Sequence, residues 1–193
     1  MILFDNAGVA RSSGETPDTV EAMDFVNALG VSQVDVLGFS IGGYVAQAFT
    51  LRHQTLVRRL VLVGSGPRGG EPPTDPNYRP YATSTDPETG EGTLEGFLYL
   101  FFSPSSRGQA AGRAFWERRH RRRQDIDPPS SPQTMAAQSA AISDWRQVRG
   151  ERFGELHAIT QPTLVVNGNR DLMVPTINSF SLSQHIPNAQ LII

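Results

Sequence analysis

Apolar residues in this chain gather in short unbroken runs, and the stretches between several of them carry a helical period. Runs at residues 1–4, 34–37, 60–63, 163–166 and 191–193 are rich in Val, Leu and Ile and lack the strict alternation of a sheet wetted on one side. They predict parallel strands covered on both faces. After the first run, Thr16-Pro17-Asp18 predicts a helix start: Thr16 can cap, Pro17 loses nothing in a first turn, and Asp18 complements the helix dipole. Val20, Met23, Val26 and Leu29 then recur every three residues as one buried stripe, with Gly30 as the stop. A second helix is expected from Ser40 to about His53, and another from Val174-Pro175 to about His185. Strand and helix alternating at this spacing predict an α/β fold with a doubly wound parallel sheet.

The alternation breaks at residue 68. Pro, Gly, Asp and Thr dominate to about residue 92, and helical patterns follow at 94–102, 109–123 and 133–148 with no strand candidate among them. Residues 69–150 are therefore expected to form a mostly helical cap inserted over the C-terminal edge of the sheet. Residues 1–68 and 151–193 would form the core.

The chemistry concentrates where strand 34–37 stops. Gly38-Phe39-Ser40-Ile41-Gly42 places a serine between a buried strand and a helix, and glycines two before and two after it leave room for a sharp turn. Ser40 is the candidate nucleophile. Such a serine needs a base in hydrogen-bond reach and a third group that orients the base. Asp171 follows a parallel strand and so emerges at the same edge as Ser40. Asp35 fits less well, because it lies near the start of the serine's own strand. The four histidines fit poorly as bases. His53 closes the helix that begins at Ser40, which puts it roughly 18 Å away at about 1.5 Å per residue. His185 closes the helix after Asp171, His157 precedes its strand, and His120 lies among Arg118, Arg119, Arg121, Arg122 and Arg123, a pattern that reads as a solvated helix face.

Composition narrows the classes. The 193 residues contain no cysteine, which excludes disulfides, thiolate metal sites and a cysteine nucleophile, and a net charge of -2 calls for neither nucleic acid nor an anionic membrane as partner. With no leader and no apolar run near 18 residues, the expected location is cytoplasmic. No cofactor and no metal are expected.

Three motifs together resemble the alpha/beta-hydrolase superfamily, closest to its haloperoxidase-like or esterase-like members with a helical cap. FDNAGVARSSG (residues 4–14) resembles the family's Asp-x-x-Gly-x-x-x-Ser loop, GFSIGG (38–43) its nucleophile elbow, and NGNRDLMVP (167–175) its Gly-x-x-Asp-x-x-x-Pro acid loop. The resemblance implies Ser40 as nucleophile, Asp171 as triad acid and the Ile41 backbone N–H as an oxyanion donor. Phe39, Leu100, Phe101, Phe102, Phe115 and Trp116 become candidates for an apolar substrate pocket, or equally for the cap's own core. The family's His-Gly-type loop and its catalytic histidine have no counterpart here, and helix 20–29 looks about two turns shorter than the family's. The implied function is hydrolysis of small apolar esters or related acyl substrates, with perhydrolase side activity, in a fragment impaired by the missing base. A non-catalytic binding or scaffold protein is the alternative, as is a homo-oligomer in which another copy supplies the missing groups.

Overall fold

The computed structural model describes residues 1–23, 30–87 and 90–193. Its centre is a parallel sheet of β1 (Val34–Phe39), β2 (Val57–Val63), β3 (Thr163–Val166) and β4 (Ala189–Ile192), hydrogen-bonded in that order. Register places Phe39 opposite Val63, Val63 opposite Val166 and Val166 opposite Ile192, so all four strands finish in one row. Helix α1 (Ile41–Arg52) links β1 to β2, and α6 (Ile177–His185) links β3 to β4.

Strands added successively in one direction carry right-handed crossovers on one face. Accordingly Ala46 of α1 and Leu182 and Ile186 of α6 pack with Leu60, Leu62 and Val165 of the sheet, together with Leu156 and Ile159. The other face differs from expectation. Leu37 is 68% exposed and Phe39 56%, so this face is open at β1 among the described residues, while Val61, Val63, Leu164 and Val166 on the same face are half-buried. The described sheet also lacks the strand-order reversal that a doubly wound sheet requires.

The N-terminal expectations change as well. Met1–Phe4 form no strand, and Met1, Ile2, Leu3 and Phe4 are exposed. The polar loop behind them is drawn to the segment between β2 and β3 instead: Thr134 Oγ1 donates to Gly8 O (3.0 Å) and Arg11 pairs with Asp127 (3.2 Å). Residues 16–20 are not helical, because the Thr16 hydroxyl donates to Thr134 Oγ1 (3.1 Å) rather than capping its own chain. A short 3-10 turn, Glu21–Met23, follows. Val20 of the predicted stripe is fully buried against Tyr44, Ala48, Ala141 and Trp145, whereas Val26 and Leu29 lie outside the described residues.

Between β2 and β3 lie α2 (Tyr78–Ala82), α3 (Leu94–Phe101), α4 (Ser106–Arg119) and α5 (Pro132–Trp145). Thr93, Ser105 and Ser131 cap α3, α4 and α5, each accepting an amide hydrogen bond from the first turn, which is the local reason these helices start where they do. Helix α4 ends at Arg119, so Arg121, Arg122 and Arg123 lie beyond it rather than on a helix face. Buried Arg68, just past β2, ties α5 to the core. Its guanidinium stacks over Trp145 (4.2 Å), pairs with Glu21, and reaches Asp144 and Glu155 at 3.5 Å each. No described helix is long and apolar enough to cross a membrane.

Candidate active site

Ser40 stands between β1 and α1 at φ 54°, ψ -124°. A non-glycine residue held there stores about 1–3 kcal/mol of strain, so its surroundings must enforce it. Ser40 N donates to Val63 O (2.9 Å), and Ser40 O accepts from Gly43 N (2.8 Å) and from the Ser65 hydroxyl (2.9 Å). Close approach does the rest. A Cβ on Gly38 would lie 2.3 Å from Gly42 O, and one on Gly43 would lie 2.3 Å from Ser65 Oγ. Space is open around Gly42, so the second glycine that the turn demands is Gly43 rather than Gly42. The Ser40 side chain does not cap α1 and makes no hydrogen bond among the described residues. Ile41 heads α1, where backbone N–H groups have no intrahelical acceptor.

Ser40 opens on a cavity of about 790 Å³ at the C-terminal edge of the sheet. Its floor includes Phe39, Val63, Gly64 and Val166, and its far wall Leu100, Phe101 and Phe102, from the end of α3 and just beyond. Asp171 lines it from the loop after β3. Asp171 Oδ1 accepts from the amides of Met173 and Val174, both at 2.9 Å, which fixes the carboxylate, while Oδ2 makes no hydrogen bond among the described residues. Oδ2 sits 3.7 Å from where a Cβ on Gly64 would be, so the absence of a side chain at residue 64 keeps this corner open. Nearby, burial pushes the Tyr44 phenol above its ordinary range, and its ring stacks on Trp145 at 5.4 Å.

The structure thus brings Ser40, Asp171, Phe39, Leu100, Phe101 and Phe102 around one space. Phe115 and Trp116 are not part of it. They pack on Phe97 at 5.6 and 5.2 Å, in an aromatic cluster between α3 and α4. None of the four histidines lines the cavity. His53 closes α1 and packs on Phe49, His120 bonds Trp116 O (2.7 Å) and Glu91 (3.3 Å), and His157 and His185 face each other at 5.7 Å. No group of three or more His, Asp or Glu side chains is placed to hold a metal among the described residues. Residues that sequence reasoning passed over are Ser65, Gly64, Gln109, Arg170 and Met173. Ser65 and Gly64 had a signal: in a parallel pair, residues after Val63 must lie beside residues after Phe39.

The chain matches the family described as alpha/beta hydrolase fold over residues 1–193. Among solved structures, it is similar to an alpha/beta hydrolase fold protein from Chitinophaga pinensis (TM-score 0.84, 36% identity, 98% of this chain and 68% of that one). The enol-lactonase from Burkholderia xenovorans shares the fold (TM-score 0.71, 21% identity, 97% and 69% of the two chains). Among curated proteins it is similar to 2-hydroxymuconate semialdehyde hydrolase of Pseudomonas putida (27% identity, 88% of this chain) and to 2-hydroxy-6-oxononadienedioate/2-hydroxy-6-oxononatrienedioate hydrolase of Cupriavidus pinatubonensis (30% identity, 86% of this chain). The matched regions span 57% and 55% of those two relatives' lengths.

Proposed function

The chain belongs to the alpha/beta hydrolase fold family, and from that premise we propose that its site is built for nucleophilic acyl transfer on carboxylic esters or related acyl substrates. The observation that carries the reading is Ser40, held strained at the head of α1 on the cavity that Asp171 also lines. Ser40 Oγ attacks the acyl carbon and forms the Oγ–C bond while its proton passes to a base. The Ile41 N–H faces the oxyanion, and collapse breaks the bond to the leaving alcohol, which takes the proton from the base. Water repeats the sequence on the acyl-enzyme and frees the acid. Hydrogen peroxide in place of water releases a peracid, the perhydrolase side reaction. Asp171 Oδ2 is the acceptor that would orient the base. Since none of the four histidines lines the cavity, the base is a group other than these.

Imidazole added from solution supplies such a group, which gives the test. Hydrolysis of p-nitrophenyl acetate should show an imidazole-dependent excess that saturates and that disappears in Ser40→Ala. Identical rates for the two proteins at every imidazole concentration would refute the acyl-enzyme. They would favour the second reading, a non-catalytic binding or scaffold protein of hydrolase fold, which the placement of the histidines supports.

A further inference from the structure

Among the described residues, Arg170 is the only basic side chain lining the cavity and Asp171 the only acidic one. Arg170 is exposed and takes part in no hydrogen bond, ion pair or ring contact among the described residues. The loop that carries it is nevertheless fixed. Asn167 Nδ2 donates to Val174 O (3.3 Å), Gly168 N to Asn167 Oδ1 (2.8 Å), Thr176 Oγ1 to Gly168 O (2.7 Å), and Asp171 holds two amides. A guanidinium with all its donors unused therefore projects from a backbone that is already ordered. Such a fork matches a carboxylate with two parallel N–H···O bonds.

We propose that the cavity takes acyl substrates that carry a carboxylate, with Arg170 as the anchor for that group. The inference rests on the hydrolase reading and adds the substrate class. Charge decides which anion fits. Arg170 and Asp171 leave the lining neutral, so a monoanion is accommodated, whereas a phosphate dianion would bring two negative charges to one guanidinium beside a carboxylate. The remaining wall, with Phe39, Leu100, Phe101, Leu172 and Met173, suits an apolar chain between the ester and the carboxylate.

The test is binding of monomethyl adipate and dimethyl adipate to Ser40→Ala, measured by titration calorimetry at low salt. These ligands have the same backbone and differ in one charge. The monoester should bind about tenfold tighter, a preference that should fall below about twofold when Arg170→Gln is added, weaken with Arg170→Lys, which keeps the charge without the fork, and persist with Arg107→Gln, a residue of α4 outside the cavity lining. Equal binding of the two ligands, or a preference that survives Arg170→Gln in a protein with an unchanged melt, overturns the anchor. Because Ser40→Ala needs no turnover, a failed ester assay leaves this measurement intact. Conversely, imidazole-dependent hydrolysis of the neutral p-nitrophenyl acetate without any carboxylate preference would remove the anchor and keep the hydrolase.

Discussion

Three glycines of the Ser40 turn face different surroundings and should respond differently to one added methyl group. At Gly42 a Cβ would meet open space, and within α1 the change to alanine should stabilise by about 0.5–1 kcal/mol, because glycine loses more freedom in a helix. At Gly38 the new atom would lie 2.3 Å from Gly42 O and 2.6 Å from Gly43 Cα. Those atoms are backbone and no rotamer change relieves them, so Gly38→Ala should cost about 3 kcal/mol or more. Gly43 is the informative case. Its Cβ would fall 2.3 Å from Ser65 Oγ and 2.5 Å from Ser65 Cβ, and Ser65 is buried and bonded to Ser40 O. Overpacking of about 1–3 kcal/mol plus about 1 kcal/mol for the displaced hydrogen bond outweighs the helical gain.

If the clash with Ser65 is the cause, removing that side chain must relieve it. Ser65→Gly alone should cost about 1–2 kcal/mol, from the lost hydrogen bond and the freer backbone. Gly43→Ala combined with Ser65→Gly should then cost less than the sum of the singles by about 1–2 kcal/mol. Urea unfolding followed by tryptophan fluorescence reads all four proteins. Costs that add within about 0.5 kcal/mol, or a Gly43→Ala as stable as Gly42→Ala, would refute the account of how the turn is held.

Two further outcomes probe the packing. Burial raises the Glu155 carboxyl above its ordinary 4.5, against the pull of Arg68, so the folded protein keeps a proton that the unfolded chain has released. Stability should therefore fall as pH rises from 4.5 through the raised value, relative to Glu155→Gln, which does not titrate. Urea midpoints at pH 4, 5.5 and 7 check this, and a wild-type advantage that grows with pH would contradict it. On the sheet, Leu62→Ala should cost about 2–5 kcal/mol and Leu37→Ser no more than about 0.5 kcal/mol, since Leu62 is buried and Leu37 lies on the uncovered face. Similar costs for the two would mean that the second face is covered.

The strand runs at 34–37, 60–63 and 163–166 were legible because unbroken Val and Leu runs suit a parallel sheet. They were less informative about what covers them. A continuous apolar run looks the same whether one face or both are buried, and among the described residues α1 and α6 pack on one side while Leu37 and Phe39 on the other are exposed. Segment 1–4 has the same apolar character, yet a strand exists only where a neighbour pairs with it, and none of the four described strands does. Thr16 carried a genuine helix-start signal, but its hydroxyl is taken by Thr134, a partner 118 residues away that no local pattern reveals. Arg68 was hidden for the same reason, its partners being spread from Glu21 to Glu155.

The site itself follows one rule of parallel topology, and that rule also separates its members. Every strand ends at the same edge, so residues just past β1 and β3 converge: Ser40 and Asp171 line one cavity because the motifs that hold them sit at strand ends. Ser65 and Arg170 arrive there by the same logic, although neither belongs to a recognisable nucleophile motif. A helix that leaves this edge must run back to the opposite one before the next strand can begin. His53 at the close of α1 and His185 at the close of α6 are carried away from Ser40 by that geometry. His157, in the turn that leads toward β3, is held at the same far side. The register that brings Ser40 and Asp171 to one edge thus keeps these three histidines out of reach, and by the same rule a base would enter this edge from residues just past a strand end, not from the close of a helix.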